Sequence, residues 1–230
     1  MLPAKGRGGI HSHINAVGEL LSQRQIPVTV VHPASWSPVL ALGVLNTARA
    51  LRYTGSETGV RWDRLWHRVL LELAMRRELR STARTVVYAQ DPRSAYAAIR
   101  ANRRRAATVV MAVHYNGSQA DELVERGQLA PGGKTEQSIR AFEAGVIARL
   151  DGIVYVSDFM QQRIHRDVPE AKAVPSAVIP NFLPQLPEQR PASDSTLRDC
   201  ISVGYLSVRK NHAYLLRVLA AARVAGNVYT

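Results

Sequence analysis

Two glycine turns, one histidine and one lysine could carry the chemistry of this chain. Gly8-Gly9 stands before a run with helical periodicity. Glycines there let a ligand approach the backbone, and the helix start behind them offers N–H groups without intrahelical partners. A diphosphate is the natural guest. A plain turn has the same composition, since the spacing is not the dinucleotide fingerprint. The second turn lies in Ile201-Ser-Val-Gly204-Tyr-Leu-Ser-Val-Arg209-Lys210-Asn211. An apolar run ends at a glycine there, and a helix begins behind a lysine. An anion at that point would lie between the Lys210 ammonium and the positive end of a helix dipole.

His114 closes the apolar run Val109-Val-Met-Ala-Val. Ligands of open α/β sheets bind beyond the carboxyl ends of strands, so an imidazole placed there favours function over packing. Asp91, in Gln90-Asp91-Pro92, holds the matching place after its own strand. Its carboxylate could equally cap the next helix. Glu143 stands on the helix before Asp151-Gly152 and reads either as a site carboxylate or as an ordinary surface one. His11 and His13 flank Ser12, but a spacing of two puts them on different helix faces. With no third ligand in view, no metal is expected.

The elements that must position these groups are short. Ile26–Val31, Thr85–Ala89, Thr108–Val113, Gly152–Ser157, Ala177–Ile179 and Cys200–Leu206 are apolar, β-branched runs separated by helical stretches. They are continuous rather than alternating, as strands buried on both faces are. The rhythm predicts a doubly wound α/β fold with a parallel sheet between helices. In the first helix Ile10, Ile14, Val17 and Leu21 share one face, with Asn15, Glu19 and Ser22 opposite. Met1 to Arg7 is too short and polar to supply a strand before it, so the first strand is expected to be missing. In Trp62 to Leu73 the residues Trp62, Leu65, Trp66, Val69, Leu70 and Leu73 share a face, with Arg61, Arg64 and Arg68 away from it. A helix covering the sheet is the expected reading, and a membrane-interface helix the alternative. Pro180, Pro184, Pro187 and Pro191 mark a boundary near residue 183. One strand, one turn and a helix from about 212 to 225 follow, with Gly226 suited to its stop.

Composition narrows the function classes. Nothing in the 230 residues is apolar for long enough to span a bilayer, and Met1 to Gly9 has no signal-peptide core. Cys200 stands alone, which excludes a disulfide framework or a thiolate cluster and fits a reducing cytoplasm. The net charge is +12, and of 30 basic residues only Lys5, Lys134, Lys172 and Lys210 are lysines. Such a charge attracts nucleotides or anionic membrane surfaces, or it reflects codon usage. The arginines are not interleaved with aromatic residues, which argues against nucleic acid.

Taken in order, these landmarks resemble the family 4 glycosyltransferases, built on the GT-B architecture of two facing Rossmann-like domains. Gly8-Gly9-Ile10 with His13 is similar to the family's first glycine loop and helix. His114 falls where the family has a strand-end histidine. Glu143 with Arg149-Leu-Asp151-Gly-Ile-Val-Tyr-Val-Ser157 resembles the segment before the interdomain region. Val178-Ile-Pro-Asn181 resembles the close of the first domain, and Val203-Gly204 with Lys210-Asn211 the opening of the donor-binding one. The resemblance implies an acceptor-side Rossmann-like domain over 1–183, a Pro-rich linker over 184–198, and over 199–230 only the first β-α unit of a donor domain.

It also implies an activity: transfer of a sugar from a nucleotide diphosphate donor to a sugar or lipid-linked acceptor, with retention and without a metal or cofactor. The enzyme would be a hexosyltransferase of glycan, glycolipid or cell-envelope synthesis. It would be cytoplasmic and peripheral at the inner face of the cell membrane. His114 would be catalytic, lying near the transferred sugar. Gly8, Gly9, Gly204, Arg209 and Lys210 would serve the donor, while His13, Asp91 and Glu143 would be acceptor-side or structural. Two positions depart from the pattern. Tyr205 stands where the family commonly has arginine, a loss that Arg209 is expected to offset. From Gly204 to Thr230 there is no Asp or Glu, so the family's paired glutamates have no counterpart. On that ground the 230 residues alone are expected not to turn over. A non-catalytic Rossmann-like remnant is the alternative. An oxidoreductase is disfavoured, because His32-Pro33 rather than an acidic residue follows the Ile26–Val31 run.

Overall fold

A computed structural model describes residues 9–54, 56–80, 85–104, 106–115, 117–182, 200, 202, 204, 210–227 and 229. The chain forms two compact units, Met1–Pro184 and Gln185–Thr230. The first contains a parallel four-stranded sheet with neighbours in sequence order: β1 (Thr85–Ala89), β2 (Ala107–Val113), β3 (Gly152–Tyr155) and β4 (Ser176–Val178). Val87 pairs with Val109, Met111 with Ile153, and Val154 with Ala177. Parallel strands need crossovers, and helices supply them. α4 (Pro92–Ala101) joins β1 to β2, α5 (Gln119–Glu125) and α6 (Lys134–Ile147) join β2 to β3, and α7 (Asp158–Asp167) with the 3-10 turn Pro169–Ala173 joins β3 to β4. The result is the α/β, Rossmann-like arrangement that the apolar runs predict.

The core explains why those runs are continuous. Val109, Met111 and Val113 of β2, Ile153 and Tyr155 of β3, Ala95 and Ala98 of α4, and Val146 and Ile147 of α6 are buried together. Outside this layer lie α2 (Pro38–Thr54) and α3 (Ser56–Glu78), with α3 packed on α4 and α2 packed on α3. Trp62 and Trp66 are half-buried against Ala41, Val44 and Leu70. They cover a helix rather than face solvent, as the packing reading of this segment expects. The arginines correct the picture of a basic flank. Arg68 lies over the rings of Tyr96 and Phe142 at 5.5 and 4.9 Å, and Arg64 over Phe142 at 5.7 Å. The Arg64 and Arg68 guanidinium groups therefore stack on rings instead of facing water, while Arg61 stays exposed.

Two further expectations need correction. Ile26–Val31 is not a strand: it pairs with none of the four, and Ile26, Val28 and Val30 are exposed. A strand must place its N–H and C=O groups on a neighbour, and no described strand lies beside this run. Only Val31 reaches the sheet core. In α1 (Gly9–Gln23) the buried residues are His13 and Ala16, not the predicted Ile10, Ile14, Val17 and Leu21 face, which is only partly covered. The helix is anchored through a polar ring, as the site below makes plain. Of the predicted strand Cys200–Leu206, only Cys200, Ser202 and Gly204 are described, without strand assignment; the linker 184–198 lies outside the described residues.

In the second unit α8 (His212–Val224) is the main described element, and it buries none of its residues. Gly226 follows it with φ 85°, the left-handed conformation expected of a helix stop.

Candidate functional site

Four residues meet at the carboxyl ends of β1 and β2. His114 follows the last residue of β2. Its Nε2 lies 3.0 Å from the Gln90 Oε1, one residue past β1. The Gln90 amide nitrogen donates to the Tyr88 carbonyl at 3.2 Å, so the amide presents oxygen to the histidine. Only an N–H can face that oxygen, so Nε2 carries the His114 proton and Nδ1 keeps its lone pair. Among the described residues nothing claims that lone pair. Burial, and then the neighbouring His13, push the His114 pKa down to about 4. The ring is neutral at neutral pH and serves as a hydrogen-bonding group rather than a cation.

His13 is only 6% exposed. It lies edge-on to His114 with ring centroids 4.6 Å apart. Its Nδ1 is 3.1 Å from Asn181 Oδ1 and its Nε2 is 3.1 Å from the Tyr88 hydroxyl. With Nδ1–H donating to Asn181, Nε2 accepts from Tyr88, and both ring nitrogens are satisfied. Burial also lowers the His13 pKa, against the raising effect of the Asn181 bond. This polar anchor, rather than an apolar stripe, ties α1 to the sheet.

Beside it lies a cavity of about 340 Å³ lined by Ser12, Asn15 and Glu19 of α1, by His13, and by Asn181 and Phe182 after β4. Gly9 is at its end. An added side chain at Gly9 would meet nothing within 4 Å, so no steric crowding demands glycine there.

Asp91 and Glu143 belong to a second, charged cluster. Asp91 is the N-cap of α4: its carboxylate accepts from Ser94 N at 2.7 Å, with Pro92 behind it. It also accepts from Arg93 at 3.1 Å, and Arg93 reaches Asp63 at 3.4 Å. Burial alone would raise the Asp91 pKa, but Arg93, His67 and the Ser94 hydrogen bonds outweigh it and hold the carboxyl well below the usual range. Glu143, 3% exposed, accepts from Ser118 Oγ at 2.5 Å and from Gln119 N at 3.1 Å. Burial is the largest influence on it and pushes its pKa up to about 7 despite those bonds. Gln119 joins the two carboxylates, with its Nε2 3.4 Å from Asp91 and its Oε1 accepting from Arg64 at 3.1 Å. Between His114 and Ser118 the backbone turns through Gly117, φ 92°, where a Cβ would stand 2.8 Å from Arg163 Nε. Glycine is demanded there by conformation, while the crowding comes from the movable ends of the Arg163 and Asp121 side chains.

The structure therefore brings His114 and His13 together and places Asp91 and Glu143 in a network beside them. Gly8, Tyr205 and Arg209 lie outside the described residues. In the second unit the Lys210 side chain folds over Gly204, whose added Cβ would lie 3.1 Å from Lys210 Cε, and Asn211, φ 51°, precedes α8. Tyr88, Ser118 and Arg64 escaped sequence reasoning. Ser118 has the signature of a helix cap before Gln119, and Tyr88 is the one phenol in an aliphatic strand.

A sequence model described as Glycosyltransferase Family 4 matches residues 7–184, which include α1 and the whole sheet. No curated protein and no solved structure matches the chain.

Proposed function

We propose that this chain, which belongs to glycosyltransferase family 4, moves a sugar from a nucleotide diphosphate sugar to an acceptor with retention at the anomeric carbon. The observation that supports this most is His114: a neutral imidazole at a strand end, with its proton committed to Gln90 and its Nδ1 lone pair unclaimed among the described residues. That atom can accept a hydrogen bond from a hydroxyl of the transferred sugar and fix its orientation. Charge builds on the departing diphosphate, and fixed donors aimed at it lower the barrier. Lys210 and Arg209 supply cations for it, and the Gly8-Gly9 turn and the Gly204 turn supply close backbone approach. Lysine, arginine and backbone donors suffice for that charge, so neither metal nor cofactor enters.

The transferred group is a hexose and the acceptor a sugar or lipid-linked sugar of glycan, glycolipid or cell-envelope synthesis. We place the protein in the cytoplasm, peripheral at the inner face of the cell membrane. The net charge of +12 supports attraction to anionic lipid. Among the described residues no helix is long and apolar enough to cross a membrane. The lipid-facing candidates are Trp36, Val39, Leu40 and Leu42, exposed at the start of α2, rather than Trp62 and Trp66. Sedimentation with anionic and neutral vesicles at low salt tests this. Binding to anionic vesicles alone is expected, and no binding to either rules the membrane reading out.

The transfer test uses two samples, the 230-residue chain and the same chain extended by a carboxylate-bearing family 4 donor domain. Each is offered α-linked nucleotide sugars. Formation of an α-linked product by the extended sample is expected, with at least a hundredfold loss in His114→Ala, in line with removal of a group acting on the transition state. A β-linked product excludes retention, and full activity in His114→Ala excludes its assigned role.

A further inference from the structure

We infer that Gln90 is a positioning residue for His114: its side-chain amide selects the ring tautomer whose Nδ1 accepts a hydrogen bond, so the strand-end site takes a hydroxyl donor. The selection is built into β1 and α4. Gln90 is half-buried and follows β1 directly. Its Nε2 donates to the Tyr88 carbonyl at 3.2 Å, and its Oε1 accepts from His114 Nε2 at 3.0 Å. Its backbone N–H donates to Ser94 Oγ at 3.2 Å, within the cap of α4. Both anchors are fixed, since Tyr88 is paired with Val110 in the sheet and Ser94 N donates to Asp91 at 2.7 Å.

Turning the amide over would set its oxygen against the Tyr88 carbonyl oxygen, with no proton between them. Keeping the amide and moving the ring proton to Nδ1 would set the His114 Nε2 lone pair against Oε1 instead. Either way the other tautomer forfeits one hydrogen bond and leaves two acceptors facing each other. One such bond weights the tautomers by roughly fivefold, and by more where the stranded acceptors are buried. The tautomer in turn decides what His114 accepts as a partner. A bare Nδ1 takes a hydroxyl and repels a carbonyl oxygen, whereas an Nδ1–H would take either.

The groups around the ring leave this choice to Gln90. His13 of α1 lies edge-on to His114, and burial lowers its pKa too. The Tyr88 phenol of β1 is turned to His13 and keeps its proton, since burial raises its pKa. The Asp91 carboxylate is turned to Ser94 and Arg93, and the Glu143 carboxylate of α6 to Ser118 and Gln119. Burial and then His13 hold the His114 pKa at about 4, so the tautomer is the variable that remains at neutral pH.

This role rests on the glycosyl-transfer reading only for the identity of the hydroxyl, which is then the transferred sugar's. The test is two-bond proton–nitrogen NMR of the 230-residue chain labelled with nitrogen-15, where a protonated and a bare ring nitrogen resonate far apart. The His114 signals are those lost in His114→Ala. At pH 7 the unaltered chain should show His114 neutral, with the proton on Nε2. Gln90→Lys aims a donor at Nε2 and should move the proton to Nδ1. Gln90→Glu sets a carboxylate against Nε2–H and should raise the His114 pKa by at least about one unit. Far-UV circular dichroism identifies the folded variants. In the chain extended by a donor domain, Gln90→Lys should lower kcat at least about tenfold, and in Gln90→Glu the acidic limb of the pH–rate profile should move up with the His114 titration. A proton on Nδ1 in the unaltered chain, an unmoved proton in folded Gln90→Lys, or an unmoved titration in folded Gln90→Glu overturns the inference. Sugar transfer by the extended chain in any of those events leaves the glycosyl-transfer reading standing. The expected NMR results with no transfer by the extended chain sink that reading and leave the role of Gln90 intact.

Discussion

Gln90 and Asp91 are neighbours in sequence at the end of β1, yet they serve polar clusters of opposite character. Gln90 holds His114, which with His13, Tyr88 and Asn181 forms a neutral group. Asp91 joins Arg93, Asp63, Gln119, Arg64 and, through the Ser118–Gln119 turn, Glu143 in a charged one. In the charged cluster the carboxylates are spent on caps, guanidinium groups and backbone donors. In the neutral one His114 keeps a lone pair and Asn181 a donor beside a cavity. Saturated charge fixes a fold, while an unspent hydrogen-bonding group at a strand end is available to a ligand. The contrast assigns structure to one cluster and recognition to the other.

The strongest way to break that assignment is Asp91→Ala. The substitution removes the α4 cap and strands Arg93, whose side chain is 14% exposed, without its nearest carboxylate. Losing one partner of a buried ion pair costs about 3–5 kcal/mol, and urea denaturation at pH 7 should show a loss of that order. The Asp91 pKa is depressed in the fold, so its contribution is present above the ordinary carboxylate pKa and is lost as pH falls through the folded value. The wild type and Asp91→Ala should therefore converge in stability on acidification. A loss under about 1 kcal/mol would mean that the charged cluster carries little of the fold.

Glu143→Gln sharpens the comparison through the opposite sign. The Glu143 pKa is raised from 4.5 to about 7, so the folded state holds its proton after the unfolded chain has released its own. The group therefore subtracts stability as pH rises from about 4.5 to 7, by about 3 kcal/mol if the shift is fully expressed. Glutamine keeps the shape without the titration. The variant should lack this part of the pH slope, with the two proteins most alike near pH 4.5 and the variant favoured near pH 7. Parallel stability curves for the two proteins between those limits would remove Glu143 from the charged cluster.

What was legible in the sequence follows the same division. The four strands and their parallel sheet could be read from Thr85–Ala89, Thr108–Val113, Gly152–Ser157 and Ala177–Ile179, because apolar burial leaves a local signature. Ile26–Val31 carried the same signature and is not a strand, since apolar residues declare a strand's composition but not its neighbour. His114 could be placed because it interrupts an apolar run at its end. Its partners Gln90 and His13 lie 24 and about 100 residues away, and no local pattern links residues joined only by the fold. The choice between a site and a surface role for Glu143 stayed open because helical spacing does not say that a loop carrying Ser118 will cover it. The polar face of α1 was legible, since Asn15, Glu19 and Ser22 are exposed as their spacing predicts.

The smallest expected effect tests the neutral cluster. Tyr88→Phe keeps the ring and deletes the hydroxyl that donates to His13 Nε2. Loss of one neutral hydrogen bond costs about 1 kcal/mol, well below the figure for Asp91→Ala. The phenylalanine ring still lies against His13, whose Nδ1 bond to Asn181 is untouched. A stability loss as large as that of Asp91→Ala would erase the difference between the clusters. His13 would then be a structural keystone, with the cavity beside it a by-product of packing.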